Sequence, residues 1–325
     1  MQIKDIEKSA VALAKDLLSK GEVNRVIGWK KGDFSYDCSP ATFDINNISE
    51  MIYTDFCGAN LSKYLIEESK KEGKILVFLK PCDTYSFNQL IKEHRIKREN
   101  VLVCGIECDG KLDAYKIRDL GADGILSATA VGDTVTVDTL SGKAEYKKDD
   151  VLLEKCLCCK GKTFAVKDTV VGEEKDEPAK PRMKGVEELE KMTADERFAF
   201  WKKELSKCIR CNACRNVCPA CSCVNCVFDN PESQIAGKAN PDSFEEKLYH
   251  IIRAWHVAGR CTDCGECSRV CPQRIPLHLI NRKFIKDMNA FYGDYQAGAD
   301  TETKAPLNQY NTGDREPSEF DKEGK

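Results

Sequence analysis

A cysteine motif occurs twice in the second half of this chain, with the same spacing each time. "CIRCNACRNVCP" spans 208–219 and "CTDCGECSRVCP" spans 261–272, so each copy reads C-x2-C-x2-C-x3-C-P. Three cysteines at steps of three can present three thiolates to one cubane cluster. The fourth cysteine precedes a proline that cannot continue a hydrogen-bonded helix, and it points elsewhere. The repeat therefore predicts two iron–sulfur clusters, each taking one ligand from the other copy.

The predicted ligand sets follow from this exchange of the fourth cysteine. One [4Fe-4S] cluster is expected on Cys208, Cys211, Cys214 and Cys271, and the other on Cys261, Cys264, Cys267 and Cys218. The alternative is a zinc site, whose four thiolates usually come as two separated CxxC pairs. Two intact copies of the longer pattern favour iron–sulfur clusters, and two neighbouring clusters form a short path for electrons.

Three further cysteines follow the first motif in "CPACSCVNC". Cys221, Cys223 and Cys226 are candidate additional ligands, hydrogen-bonding neighbours of a cluster, or packed thiols. The spacing alone leaves these three alternatives open.

The first half of the chain predicts an α/β domain. "KILVFLK" (74–80) and "NVLVCGIEC" (100–108) predict strands, and the helix between them, with Asp83 or Thr84 as its N-cap, predicts a parallel sheet. A helix is expected through 59–73, and "VGDTVTVDTLSGKAEY" (131–146) predicts an added hairpin.

Four cysteines of this α/β domain are candidates for a third site. Cys82 and Cys108 follow neighbouring strands at the edge where open α/β sheets usually carry their sites, and Cys156 with Cys159 forms a CxxC pair. We expect these four to bind a third [4Fe-4S] cluster. A zinc site or a redox-active thiol pair are the alternatives, and Cys158 could replace one member of the pair.

Other residue patterns carry less functional information. Cys104 lies inside an apolar strand and is interpreted as a core thiol, while Cys38 and Cys57 stay unassigned. His256, five residues before a motif, is interpreted as a helix surface or packing residue rather than a ligand. Trp201 and Trp255 precede the two motifs and are expected to pack over the clusters. No GxGxxG follows a strand, and "GKT" at 161–163 lacks the earlier glycine of a P-loop.

The domain organisation follows from composition and helix signals. Thr193 with Glu196, and Ser243 with Glu246, form capping-box patterns before helices that lead into the two motifs. We expect a mixed-sheet α/β domain with an added hairpin over 1–166, a charged linker over 167–192, and a small all-α ferredoxin-type dicluster domain over 193–293. Residues 294–325 are expected to form an extended or disordered tail that binds a partner.

Charge and cysteine content limit the classes of function. The net charge of −3 gives no overall field that favours nucleic acid or an anionic membrane, and no apolar run is long enough to span a bilayer. The N-terminus lacks the apolar core of a signal peptide, so a cytoplasmic location is expected. Nineteen cysteines in that reducing compartment favour metal ligation over disulfides and suggest an anaerobic cell.

Short motifs between residues 70 and 165 resemble a known family. "LKPCDTYSFNQLIK", "VCGIECDG" and "CLCCKGKT" are similar to the beta subunits of coenzyme F420-dependent hydrogenases and dehydrogenases, formate dehydrogenase included. By position, Cys82, Cys108, Cys156 and Cys159 match that family's cysteines. The C-terminal motifs also resemble the iron–sulfur subunits of heterodisulfide-reductase-type complexes.

The resemblance implies an iron–sulfur electron-transfer subunit of an anaerobic multi-subunit oxidoreductase. Implied partners are a catalytic subunit of the formate dehydrogenase or hydrogenase type, and a flavin subunit of the heterodisulfide reductase A type or a ferredoxin. The alternative is a subunit that binds FAD and itself exchanges hydride with coenzyme F420 or a nicotinamide. A zinc-bound structural module is a third hypothesis.

Overall fold

The computed structural model describes residues 2–230 and 243–308. Its strands are β1 (Arg25–Lys31), β2 (Cys38–Phe43), β3 (Met51–Ile52), β4 (Ile75–Leu79), β5 (Val101–Ile106), β6 (Ile125–Val131), β7 (Thr134–Thr139), β8 (Gly142–Lys147) and β9 (Thr169–Val171). Its α-helices are α1 (Ile3–Ser19), α2 (Leu65–Glu68), α3 (Pro81–Lys92), α4 (Ala114–Asp119), α5 (Lys148–Val151), α6 (Glu154–Leu157), α7 (Lys184–Glu190), α8 (Ala194–Leu205), α9 (Ala213–Asn216), α10 (Ser243–His256), α11 (Glu266–Arg269) and α12 (Leu277–Tyr292).

A mixed sheet forms the centre of the first half. Its order is β2-β1-β4-β5-β9, with β3 also paired to β1. The pairings β1–β4, β4–β5 and β5–β9 are parallel, whereas β2 and β3 are antiparallel to β1. The predicted strand–helix–strand unit is confirmed. Helix α3 lies between β4 and β5 in the sequence, and these two strands pair in parallel. All five residues of β4 are buried, as expected for a strand covered on both faces.

Two helices around this sheet differ from their predicted bounds. Helix α3 begins at Pro81 with Lys80 as N-cap, so the predicted caps Asp83 and Thr84 are wrong; proline is favoured at the first helical position, which sets the start earlier. The helix expected through 59–73 is reduced to a short turn and α2. The earlier start of α3 places Cys82 in its first turn, shortly after β4.

The predicted hairpin is part of a separate three-stranded sheet. Strands β6, β7 and β8 pair antiparallel in that order, and Val135 and Val137 of β7 are fully buried in a second core with Ile117 and Val151. The extra strand β6 alternates in exposure because only one of its faces meets that core.

The segment 167–192, expected to be a charged linker, contains regular structure. Strand β9 extends the parallel edge of the main sheet beside β5, and the Glu107 N–H donates to the Val171 carbonyl at 3.0 Å. Helix α7 follows at 184–190 and buries Val186 and Leu189. The open edge of β5 accounts for β9, since its unpaired backbone groups bind even a short β-branched run.

The second half of the chain is built from helices. The Thr193 capping box is confirmed: its hydroxyl accepts from the Glu196 N–H, and the Glu196 carboxylate accepts from the Thr193 N–H. Helix α10 occurs where it was predicted, although the side chains of Ser243 and Glu246 lie outside the described residues. Pro276 directly precedes α12.

The described part of the predicted tail packs on the first half. The Lys92 ammonium of α3 donates to the Thr303 carbonyl, and Ala297 and Ala305 are buried. Residues 309–325, the remainder of that predicted tail, lie outside the described residues.

Candidate metal centres

The two cysteine motifs form loops with the same backbone turns. Arg210 and Asn212 in the first loop, and Asp263 and Gly265 at the equivalent places in the second, all have positive φ between 53° and 70°. These left-handed positions turn the chain between successive cysteines, and the third cysteine of each copy then lies in a one-turn helix, α9 or α11. The repeat in sequence is thus a repeat in backbone conformation.

Cys271 of the second motif lies with the cysteines of the first. Burial raises the pKa of Cys208, and the thiolates of Cys214 and Cys271 raise it further. Burial likewise raises the pKa of Cys214, with further contributions from Cys271 and Cys211. Cys208 and Cys271 also pack against the apolar cluster that contains Cys214.

Cys218 of the first motif lies with the cysteines of the second. Burial raises the pKa of Cys267 to about 12, and Cys218 and Cys264 contribute to the increase. Burial is also the largest cause that raises the pKa of Cys264 to about 12 and that of Cys261 well above its usual range, with Cys218 contributing to both. Cys214 of the first motif also acts on Cys267, so the two loops adjoin one another, and the exchange of the fourth cysteine stays a prediction.

A buried arginine lies among both sets of cysteines. Arg253 of α10 is 1% exposed, and its three guanidinium nitrogens have no hydrogen-bond partner among the described residues. The thiolates that act on its charge are those of Cys267, Cys214, Cys218 and Cys221. An unpaired buried cation is costly, so this position fits an anionic group held between the two loops. Sequence reasoning missed Arg253 because it looks like an ordinary helix cation.

Neutral side chains also contact the motif cysteines. His250 Nε2 lies 3.3 Å from Cys208 Sγ, and the Asn281 amide donates to Cys267 Sγ at 3.7 Å. Burial, with Arg253 and Arg210 adding to it, lowers the pKa of His250 to about 3, so its imidazole is neutral. Hydrogen bonds to sulfur of this kind tune the potential of an iron–sulfur cluster.

The two tryptophans expected to pack over the clusters differ in position. Trp201, like Cys208, packs against the apolar cluster that contains Cys214 and Cys267. Trp255 is 64% exposed and contacts Phe284, so the expectation that it covers a cluster is wrong. Its neighbour Arg253, two positions earlier, faces the cysteines instead, because residues two apart on a helix point to different sides.

Cys108 interacts with two other candidate ligands of the third site, Cys82 and Cys156. Burial raises the pKa of Cys82, with Cys108 contributing. Burial raises the pKa of Cys156 to about 11, with Cys108 and then Cys159 contributing. The Lys111 N–H donates to Cys156 Sγ at 3.3 Å.

The remaining cysteines of the first half have other contacts. Cys158 interacts with Arg282 of α12, and Cys104 is fully buried in β5. Cys38 and Cys57 meet at Thr54, whose hydroxyl is 3.4 Å from Cys38 Sγ and whose N–H donates to Cys57 Sγ at 3.2 Å.

Comparison with known proteins identifies the second half of the chain. A family described as "4Fe-4S dicluster domain" matches residues 204–275. Residues 204–275 are a 4Fe-4S dicluster domain. The dicluster domain contains both cysteine loops with all eight motif cysteines, and it establishes [4Fe-4S] clusters as cofactors.

Relatives extend the similarity to most of the chain. The chain is 27% identical to the F420-dependent formate dehydrogenase subunit beta of Methanocaldococcus jannaschii, over 86% of this chain and 88% of that one. It is 26% identical to the F420-dependent formate dehydrogenase 1 subunit beta of Methanococcus maripaludis, over 92% of each. The resemblance to this beta-subunit family is confirmed. The comparisons support an iron–sulfur electron-transfer subunit.

Among solved structures, the F420-reducing [NiFe] hydrogenase complex of Methanosarcina barkeri contains a chain that aligns with 46% of this chain and 58% of its own length. That alignment has a TM-score of 0.38 and 17% identity. Separately, none of the helices in 2–230 and 243–308 has the length and apolar character needed to cross a bilayer.

Proposed function

We propose that this chain relays single electrons through three [4Fe-4S] clusters within a larger oxidoreductase. The dicluster domain would bind two of them through the crossed cysteine sets, and Cys82, Cys108, Cys156 and Cys159 would bind the third. When bound, such clusters accept and release one electron at a time. The partners are a catalytic dehydrogenase or hydrogenase subunit and a flavin subunit or ferredoxin, in a cytoplasm where thiols stay reduced.

The observation that carries this proposal is the contact between the CxxC pair and the second motif. Lys155, next to Cys156, lies 2.6 Å from the Glu266 carboxylate, and Glu266 is next to Cys267. Lys160, next to Cys159, donates to the carbonyl of Thr262, which follows Cys261. Both ends of the CxxC segment are therefore held against one cysteine loop of the dicluster domain. This contact supports a continuous path from the α/β domain into the dicluster domain.

The protein's role at these sites is to ligate, exclude water and set potential. Burial is the chief cause of raised pKa values at seven cysteines of the three sets, as in a site shielded from solvent: Cys82, Cys156, Cys208, Cys214, Cys261, Cys264 and Cys267. Arg253 supplies positive charge between the two loops of the dicluster domain. Substrate chemistry would belong to the partners.

The motif spacing favours clusters over the zinc alternative. A structural zinc ion draws its thiolates to about 2.3 Å. A cubane cluster instead binds one thiolate at each of four iron atoms, so its ligands stand farther apart than those around one ion.

The names of the relatives favour a second candidate function. Both are F420-dependent formate dehydrogenase beta subunits, so this chain could itself bind FAD and exchange hydride with the deazaflavin coenzyme. Extraction of the anaerobically purified protein separates the two functions. Stoichiometric flavin would favour the second, and its absence from protein loaded with iron would favour the relay.

Metal analysis and a matched pair of variants test the relay. We expect about twelve or more iron atoms per chain, with matching sulfide, and loss of about four iron atoms in Cys82→Ser. The control is Cys158→Ser, since Cys158 faces Arg282 and should leave the iron content unchanged. Zinc in place of iron, or equal iron in Cys82→Ser and the parent protein, would contradict the proposal.

A further inference from the structure

We infer that Cys221, Cys223 and Cys226 bind an additional iron–sulfur cluster in the cavity beside the first cysteine loop. This inference rests on the proposed function, because it requires a chain that is loaded with iron and sulfide. It assigns a site to three cysteines that belong to neither crossed set.

The three cysteines line one cavity of about 350 Å³. The segment that carries them is held at both ends: the Cys221 N–H donates to the Cys218 carbonyl at 3.1 Å, and the Asp229 N–H donates to the Cys226 carbonyl at 2.9 Å. Cys223 is exposed, whereas Cys221 and Cys226 are partly buried. Three thiols are thereby presented to one space by a short stretch of chain.

Positive charge surrounds these thiols. Lys63 and Arg260 interact with Cys221 and Cys223, and Arg215 interacts with Cys226. Two of these cations are also paired with carboxylates, Arg260 with Glu93 and Arg215 with Asp229. These cations would offset the negative charge of a cluster bound in the cavity.

Arg253, which interacts with both cysteine loops, also faces this cavity. Its side chain lines the same cavity, is 1% exposed, and has no hydrogen-bond partner among the described residues. Burial of an unpaired guanidinium is expensive unless a negative group lies against it. A cluster ligated by three thiolates has such a charge, and it would meet Arg253 from the cavity side.

The geometry favours a cluster over a single ion at this place. The cavity is far larger than one ion needs. The three cysteines stand around a volume rather than a point, which suits ligands that each bind a different iron atom.

The test compares the parent protein with the triple variant Cys221→Ser, Cys223→Ser and Cys226→Ser, both reconstituted anaerobically with iron and sulfide. We expect the triple variant to lose about four iron atoms per chain while the signals of the dicluster domain persist in electron paramagnetic resonance spectra. Cys38→Ser is the matched control, since its thiol contacts Thr54 and Cys57 and not this cavity. Equal iron in the parent and the triple variant overturns the inference and leaves the relay intact, whereas a parent protein without iron overturns the relay.

A second variant guards against misfolding of the triple variant. Cys223→Ser changes an exposed position alone, so the fold should be retained. We expect it to lose or alter the same additional signal in the spectra and to keep the dicluster signals. Identical spectra for Cys223→Ser and the parent, or stoichiometric zinc at this site, count against the inference.

Discussion

Lys155 and Glu266 form a buried ion pair that joins the α/β domain to the second cysteine loop. Lys155 Nζ lies 2.6 Å from Glu266 Oε1, and it also donates to the Gly58 carbonyl at 2.6 Å. Glu266 accepts from Arg269 as well, at 2.8 Å. The glutamate carboxylate thus receives two cations from two parts of the chain; Glu266 and Lys155 are buried, and Arg269 is partly exposed.

Loss of the lysine should destabilise this junction. Lys155→Met leaves a buried carboxylate with one cation fewer, and the expected loss of stability is about 3 kcal/mol, typical of a broken buried pair. Anaerobic thermal unfolding, followed by circular dichroism and cluster absorbance, measures the change. The exposed pair of Lys283 with Asp287 is the control, because Lys283→Met should cost less than about 1 kcal/mol. Equal effects of the two variants would contradict this view of the junction.

Substitution of the exchanged cysteines should affect the opposite cluster. Cys218→Ser is expected to damage the cluster held by Cys261, Cys264 and Cys267, because Cys218 lies among those thiols. Cys271→Ser is the reciprocal variant and should damage the cluster of the first loop. Electron paramagnetic resonance of the reduced variants distinguishes the two clusters. If each variant affected only the cluster next to it in sequence, the crossed sets would be wrong.

The Thr193 capping box should stabilise the helix that leads into the first loop. Thr193→Ala removes the hydroxyl that accepts from the Glu196 N–H, and the expected cost is about 1 kcal/mol. Ser206→Ala, at the other end of α8, removes a hydroxyl that contacts only the Lys203 carbonyl and should change stability by less than about 0.5 kcal/mol. The thermal unfolding midpoints of the two variants and the parent protein test this prediction. A larger effect of Ser206→Ala than of Thr193→Ala would contradict it.

Local patterns made the sheet centre and the cysteine loops predictable. The apolar run of β4, the capping box of Thr193 and the spacing of the motifs each depend on a few adjacent residues, and the structure agrees with the first two. The grouping of thiols around Cys218 and Cys271 stays a prediction for the ligands, since it follows from the same spacing.

Features set by distant parts of the chain were not predictable in this way. Strand β9 is three residues in a charged segment, and it forms because β5 offers an unpaired edge. Arg253 and Trp255 are both helix residues near a motif, yet one is buried among thiols and the other is 64% exposed. Helix periodicity alone did not reveal which face of α10 would meet the cysteine loops.

Arg253 should raise the reduction potentials of the two clusters in the dicluster domain. A cation near a cluster favours the reduced, more negative state, and at an effective dielectric constant near 20 a nearby charge contributes roughly 1–3 kcal/mol. For one electron, about 59 mV corresponds to a tenfold change in equilibrium. Arg253→Met should therefore lower both potentials by tens of millivolts, measured by anaerobic redox titration with electron paramagnetic resonance detection.

Two comparisons separate this electrostatic effect from a structural one. Arg253→Lys keeps the charge and should restore most of the potential, while a merely structural role would leave both variants alike. Arg98→Met removes an equal charge from a partly exposed residue that pairs with Asp168, and it should leave both potentials unchanged. Because Arg253 interacts with Cys214 of one set and with Cys218 and Cys267 of the other, a shift confined to one cluster would contradict its position between them.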